Sequence, residues 1–178
     1  MAILEIFKYP DSILKKKAKI VERIDDDIKG LINDMAETMF RAPGLGLAAP
    51  QVGKSLRIAV INISTPEKRM DFLSIINPHI VLKEGSITNE EGCLSVPGFR
   101  TNVKRFSHIA VEALNPDGKE FKIEADGLIS IVLQHEIDHL EGILFIDRIS
   151  RLKRDAYKRE LVKRLKRDVT DSKSQVRL

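Results

Sequence analysis

The chain has a single cysteine, Cys93, so no disulfide can close within it. No apolar run approaches the roughly 20 residues that span a bilayer. The opening residues, Met1-Ala2-Ile3-Leu4-Glu5-Ile6, lack the basic, apolar and small-residue succession of a secretory signal. Glu5 and Asp11 argue in the same way against an organellar transit peptide. Repeats, low-complexity stretches and linkers are missing too. Together these gaps predict a protein of the reducing cytoplasm with no membrane attachment. Net charge is also modest: 30 Lys+Arg against 26 Asp+Glu leave +4, too little to imply nucleic-acid binding by itself. The charge is unevenly placed, however. Residues 151–167 hold nine Lys/Arg against only Asp155 and Glu160, which makes this the basic end of the molecule.

What remains is a globular composition, 43% hydrophobic and 31% charged over 178 residues, enough for one domain with a real core. Residues 25–41 carry Ile28, Leu31, Ile32, Met35 and Met39 on one helical face, and Pro43 with the glycines after it ends that helix. Residues 56–63 are rich in strand formers. Ile75-Ile76 and Ile80-Val81-Leu82 read as two short strands flanking Asn77-Pro78. Residues 102–106 and 108–114 look extended, Asn115-Pro116-Asp117-Gly118 is a turn, and residues 120–124 alternate as a strand should. Asp126 offers an N-cap to a helix ending near Glu141, with Gly142 as its C′ residue. Ser150 can cap a last helix, to about residue 169, with an apolar stripe of Leu152, Ala156, Leu161, Leu165 and Val169. The expectation is an α+β fold of one domain, residues 1–169. Short, mostly antiparallel strands surround a central metal-binding helix, a C-terminal helix follows, and residues 170–178 form a flexible tail.

That central helix carries Gln134-His135-Glu136-Ile137-Asp138-His139. Histidines four apart lie one above the other on a helix, so both imidazoles can reach one cation, and Glu136 between them can handle protons on a water. Leu128, Ile131, Val132, His135 and His139 share the inward stripe, so the histidines are placed with apolar residues. Two satisfied core histidines are the competing interpretation. Asp138 and Glu141 fall off the ligand face and are given no metal bond. A hydrolytic site takes three protein ligands and leaves one position for water. A third histidine six residues on would make a metalloprotease, but that position is Phe145, and Glu160 on the later helix lies in an exposed basic pattern. Cys93, inside Glu91-Gly92-Cys93-Leu94-Ser95-Val96-Pro97-Gly98, is the better third ligand, since a Cys/His/His set is soft enough for zinc or ferrous iron and its spacing does not choose between them. A structural site would need a fourth ligand, and none is convincing.

Gly44-Leu45-Gly46-Leu47-Ala48-Ala49-Pro50-Gln51 formally satisfies a dinucleotide pattern. A dinucleotide site needs a strand before its glycines and a helix after them, and here the order is reversed, so that interpretation fails. A close-approach loop fits better, with Gln51 supplying an amide donor for a developing oxyanion.

These three segments, in this order and spanning essentially the whole domain, resemble the signature motifs of peptide deformylase, in its bacterial form. Pro50 is a small departure that leaves Gln51 in place. The resemblance implies hydrolysis of the formyl group from the N-terminus of formyl-methionyl nascent chains. By position it implies that Cys93, His135 and His139 bind the metal, that the metal activates a water, and that Glu136 acts as general base and then acid. The Gln51 amide and the backbone N–H of Leu94 would hold the oxyanion. The resemblance also implies one divalent ion, Fe(II) first, with Zn, Ni or Co as substitutes. An apolar slot for the methionine side chain is expected from Leu45, Gly46, Leu128, Ile131 and Val132, with Arg100 near the cleft. The glycine loop can pair with the peptide backbone as an added strand. For the basic terminal helix, the expected partner is ribosomal RNA; the alternative is a solvated face.

Overall fold

The computed structural model describes residues 2–175, with side chains as far as Lys163. The fold is α+β, as expected, and every sheet pairing is antiparallel. Residues 1–145 form one compact unit and residues 146–178 a second.

In the first unit, helix α1 (Asp26–Arg41) starts at Asp25, whose side chain accepts from the Ile28 N–H. It is followed by strands β1 (Gly46–Ala48), β2 (Ile58–Asn62), β3 (Phe72–Glu84), β4 (Ile87–Cys93), β5 (Val96–Arg105), β6 (His108–Leu114) and β7 (Glu120–Asp126), and then by helix α2 (Gly127–Leu140). Five strands make one sheet in the order β1-β2-β3-β6-β7, and β4 and β5 form a separate two-stranded ribbon. The reason β2 reads as an unbroken apolar run, Ile58-Ala59-Val60-Ile61, is that both its faces are covered. Ala59 and Ile61 join the cluster around Leu133, Ile137 and Leu140 of α2, while Ile58 and Val60 join Ile32, Met35 and Met39 of α1. The sheet is thus held between the two helices. α2 is buried on nearly every side, which explains its weak amphipathic pattern.

Three expectations are corrected here. The segment around Asn77-Pro78 is one strand rather than two. A register shift between Ile76 and His79 absorbs the proline, Asn77 adopts φ 52°, and its side chain bonds both the N–H and the carbonyl of Val21. Strand β4 was not foreseen, because its sequence, Ile-Thr-Asn-Glu-Glu-Gly-Cys, carries little of the apolar alternation that marks a core strand. Leu128 is 52% exposed, so the inward stripe of α2 begins only at Ile131. Gly142, by contrast, takes the expected left-handed conformation after the helix, with φ 72°.

The second unit carries helix α3 (Arg151–Gln175), whose start is capped by Ser150 Oγ accepting from the Lys153 N–H at 3.4 Å. It runs past the expected end near residue 169. Leu152 is 77% exposed and Ala156 exposed, so the supposed apolar stripe is not a buried one; the buried side chain is Tyr157. Leu165 and Val169 lie outside the described side chains, and residues 176–178 of the supposed tail lie outside the described residues. No described helix is long and apolar enough to cross a membrane.

Because Leu133 is fully buried where α2 meets the sheet, Leu133→Ala should cost about 2–5 kcal/mol by chemical denaturation, with the far-ultraviolet circular dichroism of the folded state unchanged.

Candidate active site

The two histidines stand one turn apart in the C-terminal half of α2, their rings 5.0 Å apart and inclined by 72°. Cys93 ends β4, where the β4–β5 register shifts and the chain turns back so that Cys93 pairs with Val96. This turn brings Cys93 Sγ to 3.2 Å from His139 Nε2. Among the described residues, Cys93, His135 and His139 form a group whose three ligand atoms all lie within 4.8 Å of one another. One cysteine sulfur and two imidazoles make a donor set suited to a divalent transition metal.

Gln51 reaches the same place from a single 3₁₀ turn, Ala49–Val52, that follows β1. Its Oε1 accepts the Ala48 N–H at 2.8 Å, which fixes the direction of the amide. Its Nε2 then donates to Ser95 Oγ at 3.2 Å and to Cys93 Sγ at 3.5 Å. Glu136 lies against β1. A Cβ built on Gly46 would come within 2.7 Å of Glu136 Cγ and Cδ, so only glycine at position 46 leaves room for this carboxylate. Glu136 is 3% exposed, and its Oε2 is buried without a hydrogen-bond partner. Burial raises its pKa to about 7, against the partly opposing charge of His135. A buried, unpartnered carboxyl oxygen beside soft donors is where a cation and a water would satisfy it, so the residues fit a metal.

A buried ion network orients His135. Its Nδ1 meets Glu91 Oε2 at 2.8 Å. Arg105 grips both oxygens of that carboxylate, Nε to Oε1 at 2.7 Å and Nη2 to Oε2 at 2.9 Å, and its Nη1 bonds Asp138 of α2. Burial by itself pushes Glu91 up, but the bonds and charges of Arg105 and His135 outweigh it and hold its pKa at about 2. His135 is pushed down by burial and raised more strongly by its bonds to Cys93 and Glu91, ending well above the ordinary range. His139 goes the other way, lowered by burial and by the charge of His135, and its Nδ1 is buried without a partner. Phe145, at the position where a longer motif would have a third histidine, stacks on the His135 ring at 6.1 Å.

The expected site residues are gathered around one cleft of about 570 Å³. Gln51, Cys93, Leu94, His135 and Glu136 line its chemical end. Leu45, Gly46, Ile131 and Val132 line its walls, with Leu128 and Arg100 alongside. Arg100 is at the rim, largely exposed and 3.7 Å from Glu90. His139 lies behind the lining, 1% exposed. Sequence reasoning missed Glu91, Arg105 and Ser95. Glu91 could have been found, since residues two apart on a strand share a face and Cys93 is two residues on. Arg105 left no signal, because its place depends on how β5 pairs back onto β4.

A family model described as polypeptide deformylase matches residues 3–155. The chain belongs to the peptide deformylase family. The peptide deformylase of Syntrophobacter fumaroxidans is 52% identical over 166 residues, covering 93% of this chain and 98% of that one. The crystal structure of a peptide deformylase from Legionella pneumophila aligns with a TM-score of 0.85 at 47% identity, over 93% of this chain and 98% of that one. One from Synechococcus elongatus, in complex with actinonin, aligns at 0.81 and 37% identity over 90% and 86%. Peptide deformylases are metal-dependent hydrolases that remove N-formyl groups from nascent peptides, and this chain is one of them.

Glu91 links the site to stability. Its folded pKa, about 2, lies below the ordinary carboxylate value of 4.5, so its contribution is fully present above pH 4.5 and is lost as pH falls toward 2. The shift corresponds to on the order of 3 kcal/mol. Urea midpoints measured with chelator present should fall between pH 6 and pH 3 by more in the parent chain than in Glu91→Gln. Parallel curves would remove Glu91 from the acid dependence.

Proposed function

We propose that Cys93, His135 and His139 hold one divalent cation, ferrous iron first, with zinc, nickel or cobalt able to replace it, and that Glu136 carries the protons of deformylation. Supporting this is one observation above the rest: three soft donor atoms within 4.8 Å of one another beside a buried carboxyl oxygen with no partner. When bound, the cation supplies Lewis acidity, which makes a water more acidic and a carbonyl more electrophilic. Glu136, with a pKa near 7, can accept a proton from the attacking water and return it to the departing amine near neutral pH. Gln51 and Leu94 line the same end of the cleft, and the Gln51 Nε2 and the backbone N–H of Leu94 would donate to the oxyanion that develops at the formyl carbon. Glu91, braced by Arg105, keeps His135 Nδ1 engaged and so leaves its Nε2 for the metal.

The rest of the cleft binds the peptide. Leu45, Leu128, Ile131 and Val132 offer an apolar wall to an unbranched methionine side chain, Gly46 leaves its backbone open to an extended peptide, and Arg100 stands at the exit. Actinonin, bound by the Synechococcus relative, should occupy this same cleft. A metalloprotease would draw its third ligand from elsewhere and keep its metal without Cys93.

The deciding measurement is formate release from a formyl-methionyl peptide by anaerobically purified, iron-loaded protein, with metal analysis. Glu136→Ala should keep its metal and lose about 10²–10⁴-fold in rate, and Cys93→Ala should lose the metal. Metal-loaded parent protein that releases no formate would sink the assignment, and full activity in Glu136→Ala would sink the role of Glu136.

The basic surface of α3 suits an enzyme that meets chains as they emerge in the cytoplasm. Arg151, Lys153, Lys158, Arg159 and Lys163 are exposed, and the helix also pairs some charge internally, Arg151 with Asp155 at 3.5 Å. We assign this face to ribosomal RNA. The double variant Lys158→Glu, Arg159→Glu should co-sediment less with ribosomes at low salt while releasing formate from a free formyl-methionyl peptide as fast as the parent. Sedimentation equal to the parent rules docking by this face out.

A further inference from the structure

Three consecutive residues near the N-terminus tie the two loops of the site together. The Phe7 N–H donates to the carbonyl of Gln51 at 2.7 Å, and the Tyr9 N–H donates to the carbonyl of Ser95 at 2.8 Å. Between them, Lys8 Nζ donates to the carbonyl of Leu94 at 2.6 Å. The first contact is close enough that a Cβ on Gly53, which has φ 78°, would come within 2.8 Å of the Phe7 ring. Residues 7–9 therefore act as a strap over the loop that supplies Gln51 and the loop that supplies Cys93 and Leu94.

The Lys8 contact has a chemical direction. The carbonyl it grips belongs to the Leu94–Ser95 peptide, and the N–H of that same peptide, at Ser95, donates to Cys93 Sγ at 3.4 Å. A cation on the oxygen of an amide draws electron density toward it and makes the N–H a stronger donor. Gln51 Nε2 also donates to that sulfur, so each of the two loops the strap joins supplies it a hydrogen-bond donor. Hydrogen bonds to a ligating sulfur lower its donor strength and fix its direction. Lys8 itself is exposed, so a substitution there disturbs little packing.

We propose that Lys8 is a positioning residue for the reaction: through the Leu94–Ser95 peptide it holds the ligand loop in place and strengthens the hydrogen bond that Ser95 donates to the Cys93 sulfur. This rests on Cys93 being a metal ligand. The neighbouring oxyanion donor, the Leu94 N–H, is held by the same contact.

The test uses the full chain loaded with cobalt, whose thiolate charge-transfer band reports the electron density on the sulfur. Parent, Lys8→Met and Lys8→Arg should each bind one cobalt per chain. The band should move to longer wavelength in Lys8→Met, where the sulfur becomes the stronger donor, and return to the parent position in Lys8→Arg. In zinc-loaded protein, the Ser95 amide proton should move upfield in Lys8→Met. An unmoved band together with an unmoved Ser95 amide in Lys8→Met overturns the proposal, as does a band in Lys8→Arg displaced as far as in Lys8→Met. A parent protein that binds cobalt without any thiolate band overturns the ligand assignment of Cys93 itself, and the role of Lys8 with it.

Discussion

The carboxylate of Glu91 is the joint on which the site turns. It sits on the ribbon strand β4, yet it holds the imidazole of His135 on the central helix and is itself gripped at both oxygens by Arg105 from β5. Arg105 also bonds Asp138, one turn from His135 along the same helix face of partners. Ribbon and helix are therefore joined by a buried charge network. Three buried ionic groups carry a large desolvation cost, and their mutual hydrogen bonds must offset it. Removing one partner would leave the others buried and unpaired, so the arrangement is demanding as well as rigid. It holds the histidine in one orientation, as the metal-ligand role we propose for it would require.

The apolar core does a different job. It fixes α2 against the sheet through Val132, Leu133, Ile137 and Leu140, and it fixes β1 through Leu47 and Ala48, so the helix and the glycine strand meet at a constant distance. Glu136 occupies the gap, and its size is set by Gly46 having no side chain. Core packing decides where Glu136, the proton carrier we propose, stands. The hydrophobic surroundings then decide its chemistry, since the same burial that holds Glu136 raises its pKa toward neutrality. The strap at residues 7–9 adds a third kind of constraint, made mostly of backbone hydrogen bonds that join the loop of Gln51 to the loop of Cys93 and Leu94.

Much of this was legible in the residues. His135 and His139 were readable as ligands because helical spacing is a local property, and Cys93 because it is the one thiol in the chain. Gln51 could be singled out since a tight glycine turn does not by itself need an amide after it. Elements with a strong local pattern, such as α1, β2 and the turn before β7, were placed nearly where they lie. The ribbon strand β4 was not, because its partner on one side is the solvent-lined cleft and its inward residues are Glu91 and Cys93 rather than aliphatics. The division at Asn77-Pro78 failed for a related reason. A bulge with a positive φ at Asn77 lets a strand continue through proline, and what makes it tolerable is the pair of bonds to Val21, 56 residues earlier.

By itself the sequence determined the chemical inventory: which side chains can bind a soft metal, carry a proton or donate to an oxyanion, and which of them share a helix turn. Those depend on residue type and short-range geometry. Only the tertiary structure decided that Arg105 braces Glu91, that Lys8 reaches the Leu94 carbonyl, and that Gly46 faces Glu136. Each of these contacts joins residues tens of positions apart or on different elements, and its existence depends on strand register and helix placement, which the whole core sets at once.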